Sequence, residues 1–132
     1  MTGPGMVKFD ARELREFGME LPKLGVAGAK AMHKVLSVGA VDLRDEWRKN
    51  AEVTSGEHGR LYPKSIVVFP RLSTDVVYDI GPDPRLPQGG MSFEFGSSKQ
   101  PPHLDGQRAA DEVIPKIAGR ATTVLFHLFE GQ

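Results

Sequence analysis

The sequence predicts an α+β protein, because two long stretches with helical periodicity enclose a central stretch of strand-forming residues. In residues 22–51 and 104–129, apolar side chains recur at steps of three and four, as in an amphipathic helix. Between them, residues 65–69 and 75–80 are rich in Val, Ile, Phe and Tyr, which strands favour. The 132 residues suit a single domain, which we expect to cover the whole chain.

The N-terminal residues predict two short elements. Residues 1–9 are expected to form a flexible arm or a short edge strand at residues 7–9. Asp10 is a good N-cap for a short helix over residues 10–21, because its carboxylate can accept an N–H of the first turn. Pro22 then restarts or bends the chain.

The helix over residues 22–51 would be roughly 40 Å long, at about 1.5 Å per residue. Its apolar face is predicted to hold Met32, Leu36, Gly39, Leu43 and Trp47. Three glycines, at positions 25, 28 and 39, each weaken such a helix by up to about 1 kcal/mol relative to Ala. We expect them to mark places where another backbone packs closely.

The central region is divided by turn-forming residues. Residues 52–63 are expected to form a loop, and the strands at 65–69 and 75–80 a hairpin. Residues 80–91 contain three prolines and three glycines and are predicted to form a long loop. The segment SFEF, residues 92–95, is predicted to be a third strand.

The C-terminal helix carries a proline in its middle. Pro115 removes one intrahelical hydrogen bond, so we expect a kink or two pieces, over residues 104–114 and 115–129. The apolar stripe is predicted to comprise Leu104, Ala110, Val113, Ile114, Ile117, Ala121, Val124, Leu125 and Leu128. Near the terminus, Leu125, Phe126 and Phe129 make the helix apolar on more than one face. Either the last turn folds back over the sheet, or it meets another subunit.

Composition argues against several classes of function. Lys plus Arg and Asp plus Glu both number 17, so a net charge of zero gives no general attraction to nucleic acid or a membrane surface. The chain has no cysteine, which removes disulfides and thiolate metal sites. It has no 18-residue apolar run and no signal-like start, so we expect a soluble protein made in the cytoplasm.

The residues give little indication of catalysis. The four histidines, at positions 33, 58, 103 and 127, include no pair at three- or four-residue spacing, so no metal or other cofactor is expected. His58 lies beside Glu57 and near Thr54 and Ser55, which leaves a small hydrolase or ligand-binding domain as an alternative. The glycine-rich loops precede strands, which is the wrong order for a phosphate-binding loop. We therefore expect a protein that is not an enzyme.

Two segments resemble a known family. The first is RKNAEVTSGEHGRLYPKSI, in which Asn50, Ala51, Val53, Gly59, Leu61, Ser65 and Ile66 match. The second is FEFGSSKQPPHL, preceded by YDIGPDPRLPQGG, in which Glu94, Phe95, Gly96, Ser97, Pro101, Pro102, His103 and Leu104 match. Together they resemble the small tail-component proteins, of the head-tail joining or tail-completion group, of long-tailed double-stranded DNA bacteriophages and prophages.

The resemblance implies a small antiparallel sheet packed against the long helix and the C-terminal helix. It also implies a virion structural protein at the head-tail junction, assembled into a ring, commonly of six subunits, beside head-connector and tail-tube or terminator proteins. DNA would pass through this ring without sequence-specific binding, and no membrane would be involved. A tail terminator is the alternative within the same assembly. The family motifs and the apolar terminus predict these interface residues: Gly59, Leu61, Ser65, Ile66, Glu94, Phe95, Gly96, Ser97, Pro102, His103, Leu125, Phe126 and Phe129.

The loop FEFGSSKQPPH has two interpretations. Gly96 is expected to supply the backbone conformation that ends the strand, and the two prolines that follow to stiffen the exit. Residues 97–99 are expected either to fix the start of the last helix or to touch a neighbouring subunit. The alternative is that the whole loop serves as a turn within one chain.

Overall fold

The α+β class is confirmed in the computed structural model, which describes residues 7–10, 21–71 and 77–130. The elements in chain order are β1 (Val7–Asp10), α1 (Leu21–Thr54), α2 (Tyr62–Ser65), β2 (Ile66–Arg71), β3 (Val77–Pro82), α3 (Ser92–Phe95) and α4 (Asp105–Glu130). The long helix, the hairpin and the C-terminal helix all form where the periodicity predicts them, with ends shifted by a few residues. The predicted loops are therefore shorter than expected, at residues 55–61 and 83–91.

Helices α1 and α4 pack side by side and run antiparallel, since the end of α1 contacts the start of α4. Their facing stripes supply most of the core. The buried apolar residues are Met32, Val35, Leu36, Ala40, Leu43, Trp47, Ala51, Tyr62, Ile66, Tyr78, Ile80, Ala109, Val113, Ile117, Ala121 and Leu125. The predicted faces of both helices are thus largely confirmed, although Ile114 is exposed.

The sheet is antiparallel with the strand order β1, β3, β2. Ile66 and Ile80, on neighbouring strands, are fully buried in the core shared with α1. β1 is an edge strand, which confirms one of the two expectations for the N-terminal arm. The predicted helix over residues 10–21 begins in what is in fact strand β1, and residues 11–20 lie outside the described residues.

The prediction of a strand at residues 92–95 is wrong, because these residues form the helical turn α3. Phe93 packs against the core and the next residue, Glu94, is buried. Successive side chains on a strand point to opposite faces, so a strand could not turn both inward. A helical turn does so and leaves Phe95 half exposed to solvent.

Of the two expectations for Pro115, a kink or a division of the last helix into two pieces, the division is wrong. α4 continues through Pro115 as one helix. Pro115 and Asp111, whose carbonyl loses its intrahelical donor, are both exposed, so water can satisfy that carbonyl. On the opposite face, Val113 and Ile117 are held in the core, which outweighs the local cost of the proline.

Two of the predicted glycines have different roles. At Gly39 an added Cβ would lie 2.6 Å from the side chain of Ile117, so this glycine lets α4 approach α1 closely, through a side chain rather than through the expected backbone. Gly25 instead has a φ of 58° with open space around it, and interrupts the helical geometry of α1. A positive φ is readily adopted only by glycine, so Gly25 marks a kink rather than a contact.

Candidate functional site

The most elaborate polar arrangement lies where α4 begins. The carboxylate of Glu94 accepts hydrogen bonds from the backbone N–H groups of Gly106, at 2.9 Å, and Gln107, at 3.0 Å. These are N–H groups of the first helical turn, which have no partner inside the helix, and the helix dipole favours a negative charge there. Because Glu94 is only 2% exposed, its charge is used internally to cap α4.

Asp105 joins the start of α4 to the end of α1. Its carboxylate accepts the hydroxyl of Thr54 at 2.8 and 2.9 Å and the guanidinium of Arg108 at 2.6 Å. Its backbone carbonyl accepts the side-chain amide of Asn50 at 3.0 Å. The Asp105 side chain is fully buried, so these contacts compensate for the loss of hydration. We call this end of the helix pair, around Glu94, Asp105 and Trp47, the junction end.

The loop between α3 and α4 is closed by its own backbone. Gly96 has a φ of 81°, and an added Cβ would lie 2.7 Å from the backbone nitrogen of Pro102, so glycine is required there. Ser97 and Gln100 exchange backbone hydrogen bonds of 2.9 and 3.3 Å. Residues 97–99 thus form a local turn, and the expectation that they fix the start of the last helix is wrong. Glu94 and Asp105 perform that role instead.

The two family-like segments meet at the junction end. Phe93 stacks on Tyr62 with ring centroids 4.5 Å apart, and it also contacts His103 at 5.9 Å. Gly59 leaves room for the ring of Phe93 in this stack, because an added Cβ at position 59 would lie only 2.6 Å from that ring. Tyr62 and Phe93, which are 31 positions apart in the sequence, therefore belong to one aromatic cluster, which explains why a glycine stands at position 59.

The other matched residues of the first segment support the same region. Ser65 donates its hydroxyl to the carbonyl of Tyr62 at 2.6 Å and is almost fully buried. The side chain of Gln88 accepts the N–H of Leu61 at 2.7 Å and donates to the carbonyl of His58. These bonds tie the loop at 83–91 to the loop at 55–61, so both long loops are held by contacts within the chain.

Tyr62 is buried beside the capping carboxylates. Burial is the main cause that raises the pKa of Tyr62 above its ordinary value. The indole N–H of Trp47 acts in the opposite direction, and the carboxylates of Glu94 and Asp105 raise the pKa further. The phenol therefore stays protonated and neutral, which suits a packing residue.

The residues of the hydrolase alternative do not converge. His58 is exposed, in an open depression lined by Gly56, Glu57, His58 and Arg60. The Thr54 hydroxyl is directed to Asp105, and Thr54 does not line that depression. Among the residues that the structure describes, no three His, Cys, Asp or Glu side chains form a group that could hold a metal ion. None of the described helices is long and apolar enough to cross a membrane.

The opposite end of the helix pair presents apolar side chains to solvent. A groove of about 620 Å³ lies between α1 and α4. Its charged lining residues are Lys34 and Arg120, and the others are Ala31, Val35, Val38, Gly119, Thr123 and Val124. Phe126 is 62% exposed and Phe129 36% exposed, while the adjacent Leu125 is buried. We call this region the open end.

The predicted interface residues thus divide into two groups. Buried or half-buried within the chain are Gly59, Ser65, Ile66, Glu94, Gly96, His103 and Leu125. Exposed are Leu61, Phe95, Ser97, Pro102, Phe126 and Phe129. The last turn of α4 stays helical, and its outward aromatic side chains remain uncovered by the residues that the structure describes. The groove could not be predicted from the sequence, because it forms where α1 and α4, which are far apart in the chain, pack against each other.

Comparison of the chain with known protein families, with curated proteins and with solved structures found no match.

Proposed function

We propose that this protein is a virion structural protein, not an enzyme, that joins or completes the tail at the head-tail junction of a long-tailed bacteriophage or prophage. It would act as a ring around the DNA channel, in the virion after assembly in the host cytoplasm. The resemblance of two segments to the tail-component family suggests which assembly is involved. The observation that carries the proposal is the exposed apolar surface at the open end, which combines a groove with Phe126 and Phe129. Such surfaces on a small protein mark sites of association.

The buried acidic residues and the net charge favour the same class of function. The buried acids Glu94 and Asp105 are engaged in capping and cross-linking the two helices. The zero net charge suits a channel through which DNA must move, because each added phosphate contact would hold the genome more strongly. A ring subunit needs a stable fold and an exposed surface for its neighbours, and the bonded acids and the apolar open end fit these two needs.

Deletion of the coding sequence from the phage or prophage that carries it tests this proposal. We expect DNA-filled heads and tails of normal length that are not joined, as seen by electron microscopy of the lysate. Tails of abnormal length would support the tail-terminator alternative instead. Infectious particles in normal yield would contradict both roles.

The hydrolase or ligand-binding alternative is tested separately with His58→Ala. His58 is exposed and forms no part of the core, so this variant is expected to fold and to complement the deletion fully. Failure of a well-folded His58→Ala protein to restore infectivity would favour a role for the His58 loop.

A further inference from the structure

We infer that the groove between α1 and α4 receives the α4 tip of a second copy of this chain, where the α4 tip means Phe126, Phe129 and Glu130. This inference rests on the proposed function, since it names the surfaces by which neighbouring subunits of the assembly would meet.

The groove is lined mainly by apolar side chains, together with two basic ones. Val35, Val38 and Val124 provide apolar surface within a volume that can accept an aromatic side chain. The charged side chains among the described residues that line it are Lys34 and Arg120, with no acid. Arg120 is engaged by Asp42 at 2.8 Å, so Lys34 is the cation that faces an incoming partner.

The α4 tip has the complementary character. Phe126 and Phe129 are exposed at helical spacing, and Glu130 follows Phe126 by one turn of the helix. The carboxylate of Glu130 lies 3.5 Å from His127, which offsets its charge only when the imidazole is protonated. An apolar group with an acid beside it therefore faces outward, opposite in charge to the groove.

The tip cannot fill the groove of its own chain. Thr123 and Val124 line the groove but Phe126 does not, and Phe126 remains 62% exposed. Two different surfaces of one chain that complement each other make a heterologous contact, which generates a ring when the rotation closes. The second copy is favoured over contact of groove with groove, because that would bring Lys34 against Lys34.

Disulfide trapping tests this contact, and the absence of cysteine from the sequence makes the background clean. One protein carries Ala31→Cys, in the groove, and another carries His127→Cys, next to Phe126. When the two are mixed under mild oxidation, we expect the mixed disulfide to form about tenfold faster than with a control groove partner. The matched control replaces Ala31→Cys by Val53→Cys, which is 83% exposed near the other end of α1.

Second substitutions separate the apolar contribution from the charged one. Phe126→Ser in the His127→Cys protein is expected to slow mixed-disulfide formation about tenfold, as loss of an aromatic anchor does. Lys34→Glu in the Ala31→Cys protein is expected to slow it about threefold. Adding Glu130→Lys to the partner of Lys34→Glu is expected to restore the original rate, because the opposite charges face each other again.

Equal rates for the Ala31→Cys and Val53→Cys pairs would overturn the inference. So would faster linkage of His127→Cys protein to itself, which would indicate contact between two tips. If trapping fails while the deletion phage gives unjoined heads and tails, the contact is wrong and the proposed function stands. If trapping succeeds while the deletion phage is fully infectious, the contact is right and the proposed function is wrong.

Discussion

The two ends of the α1 and α4 helix pair are built from different chemistry. At the junction end, Glu94 and Asp105 are buried and bonded, and the Trp47 side chain is fully covered. At the open end, Phe126 and Phe129 are exposed and the groove is unfilled by described residues. The comparison shows that the polar groups of the helix pair are bonded internally at one end, whereas the other end, although its core is also packed, leaves apolar side chains available for contact with another chain.

The largest expected effect is at Trp47, the centre of the junction end. We expect Trp47→Ala to lower the free energy of unfolding by about 3–5 kcal/mol, because it leaves a large cavity. Val53→Ala, on the same helix but 83% exposed, should change it by no more than about 0.5 kcal/mol. Urea denaturation measures both, and a loss below about 1 kcal/mol at Trp47 would contradict the comparison.

Two glycines of α4, one at the junction end and one at the open end, allow the same glycine-to-alanine substitution to be compared at both ends of the helix pair. An added Cβ at Gly106 would lie 2.6 Å from the rigid indole of Trp47, whereas at Gly119 it would meet nothing within 4 Å. We expect Gly106→Ala to destabilise the protein by about 1–3 kcal/mol through overpacking. Gly119→Ala should stabilise it by up to about 1 kcal/mol, because Ala favours the helix. Effects of the same sign in thermal denaturation would show that the two ends do not differ in this way.

Removing the cap at Glu94 is expected to have an effect similar to that of Gly106→Ala. Glu94→Ala leaves the buried N–H group of Gly106 and the partly buried one of Gln107 without their acceptor, which should cost about 1–3 kcal/mol of the free energy of unfolding. Glu112→Ala, which removes an exposed carboxylate paired with Lys116 in the same helix, should cost no more than about 0.5 kcal/mol. Amide hydrogen exchange should show faster exchange at the first turn of α4 only in Glu94→Ala. Equal exchange in the two variants would argue against the cap.

Asp83 gives a pH-dependent test beside the junction end. Hydrogen bonds from the Arg85 guanidinium and backbone N–H hold the pKa of the Asp83 carboxyl below its ordinary value. A pKa that is lower in the folded state stabilises the fold above the ordinary Asp pKa, and this stabilisation is lost as pH falls through the folded pKa. Asp83→Asn should therefore destabilise the protein near neutral pH, and the difference should shrink as pH falls below the ordinary Asp pKa of about 3.9.

The matched variant for Asp83→Asn is Arg85→Gln, which removes the main cause of the lowered pKa of the Asp83 carboxyl. Its stability difference from the unsubstituted protein should follow the same pH dependence, in urea denaturation at several pH values. A difference that stays constant with pH in both variants would disprove the assignment.

The smallest effect on stability is expected at the open end. Phe126→Ser should change the free energy of unfolding by no more than about 0.5 kcal/mol, because most of the ring already contacts solvent. The adjacent Leu125→Ala should cost about 2–5 kcal/mol, since Leu125 is buried against the core. A large loss for Phe126→Ser in urea denaturation would mean that its ring is used inside the chain.

The sequence by itself determined the main elements. The spacing of Met32, Leu36, Leu43 and Trp47 requires one helical face, and the β-branched and aromatic runs require strands, because periodicity and propensity are local properties. The prediction that Gly96 supplies a special backbone conformation is confirmed by its positive φ, although the element that it ends is the helical turn α3 and not a strand. The two family-like segments could also be picked out in the sequence, although not the contacts that each of their residues makes.

Only the tertiary structure decided which conformations and contacts those segments adopt. SFEF is a helical turn because Phe93 and Glu94 must both face inward, and α4 passes through Pro115 because its opposite face is held by α1. Glu94 is a helix cap because a distant helix begins beside it. Such outcomes depend on contacts between residues far apart in the chain, whose free energies exceed the local preferences that a sequence pattern expresses.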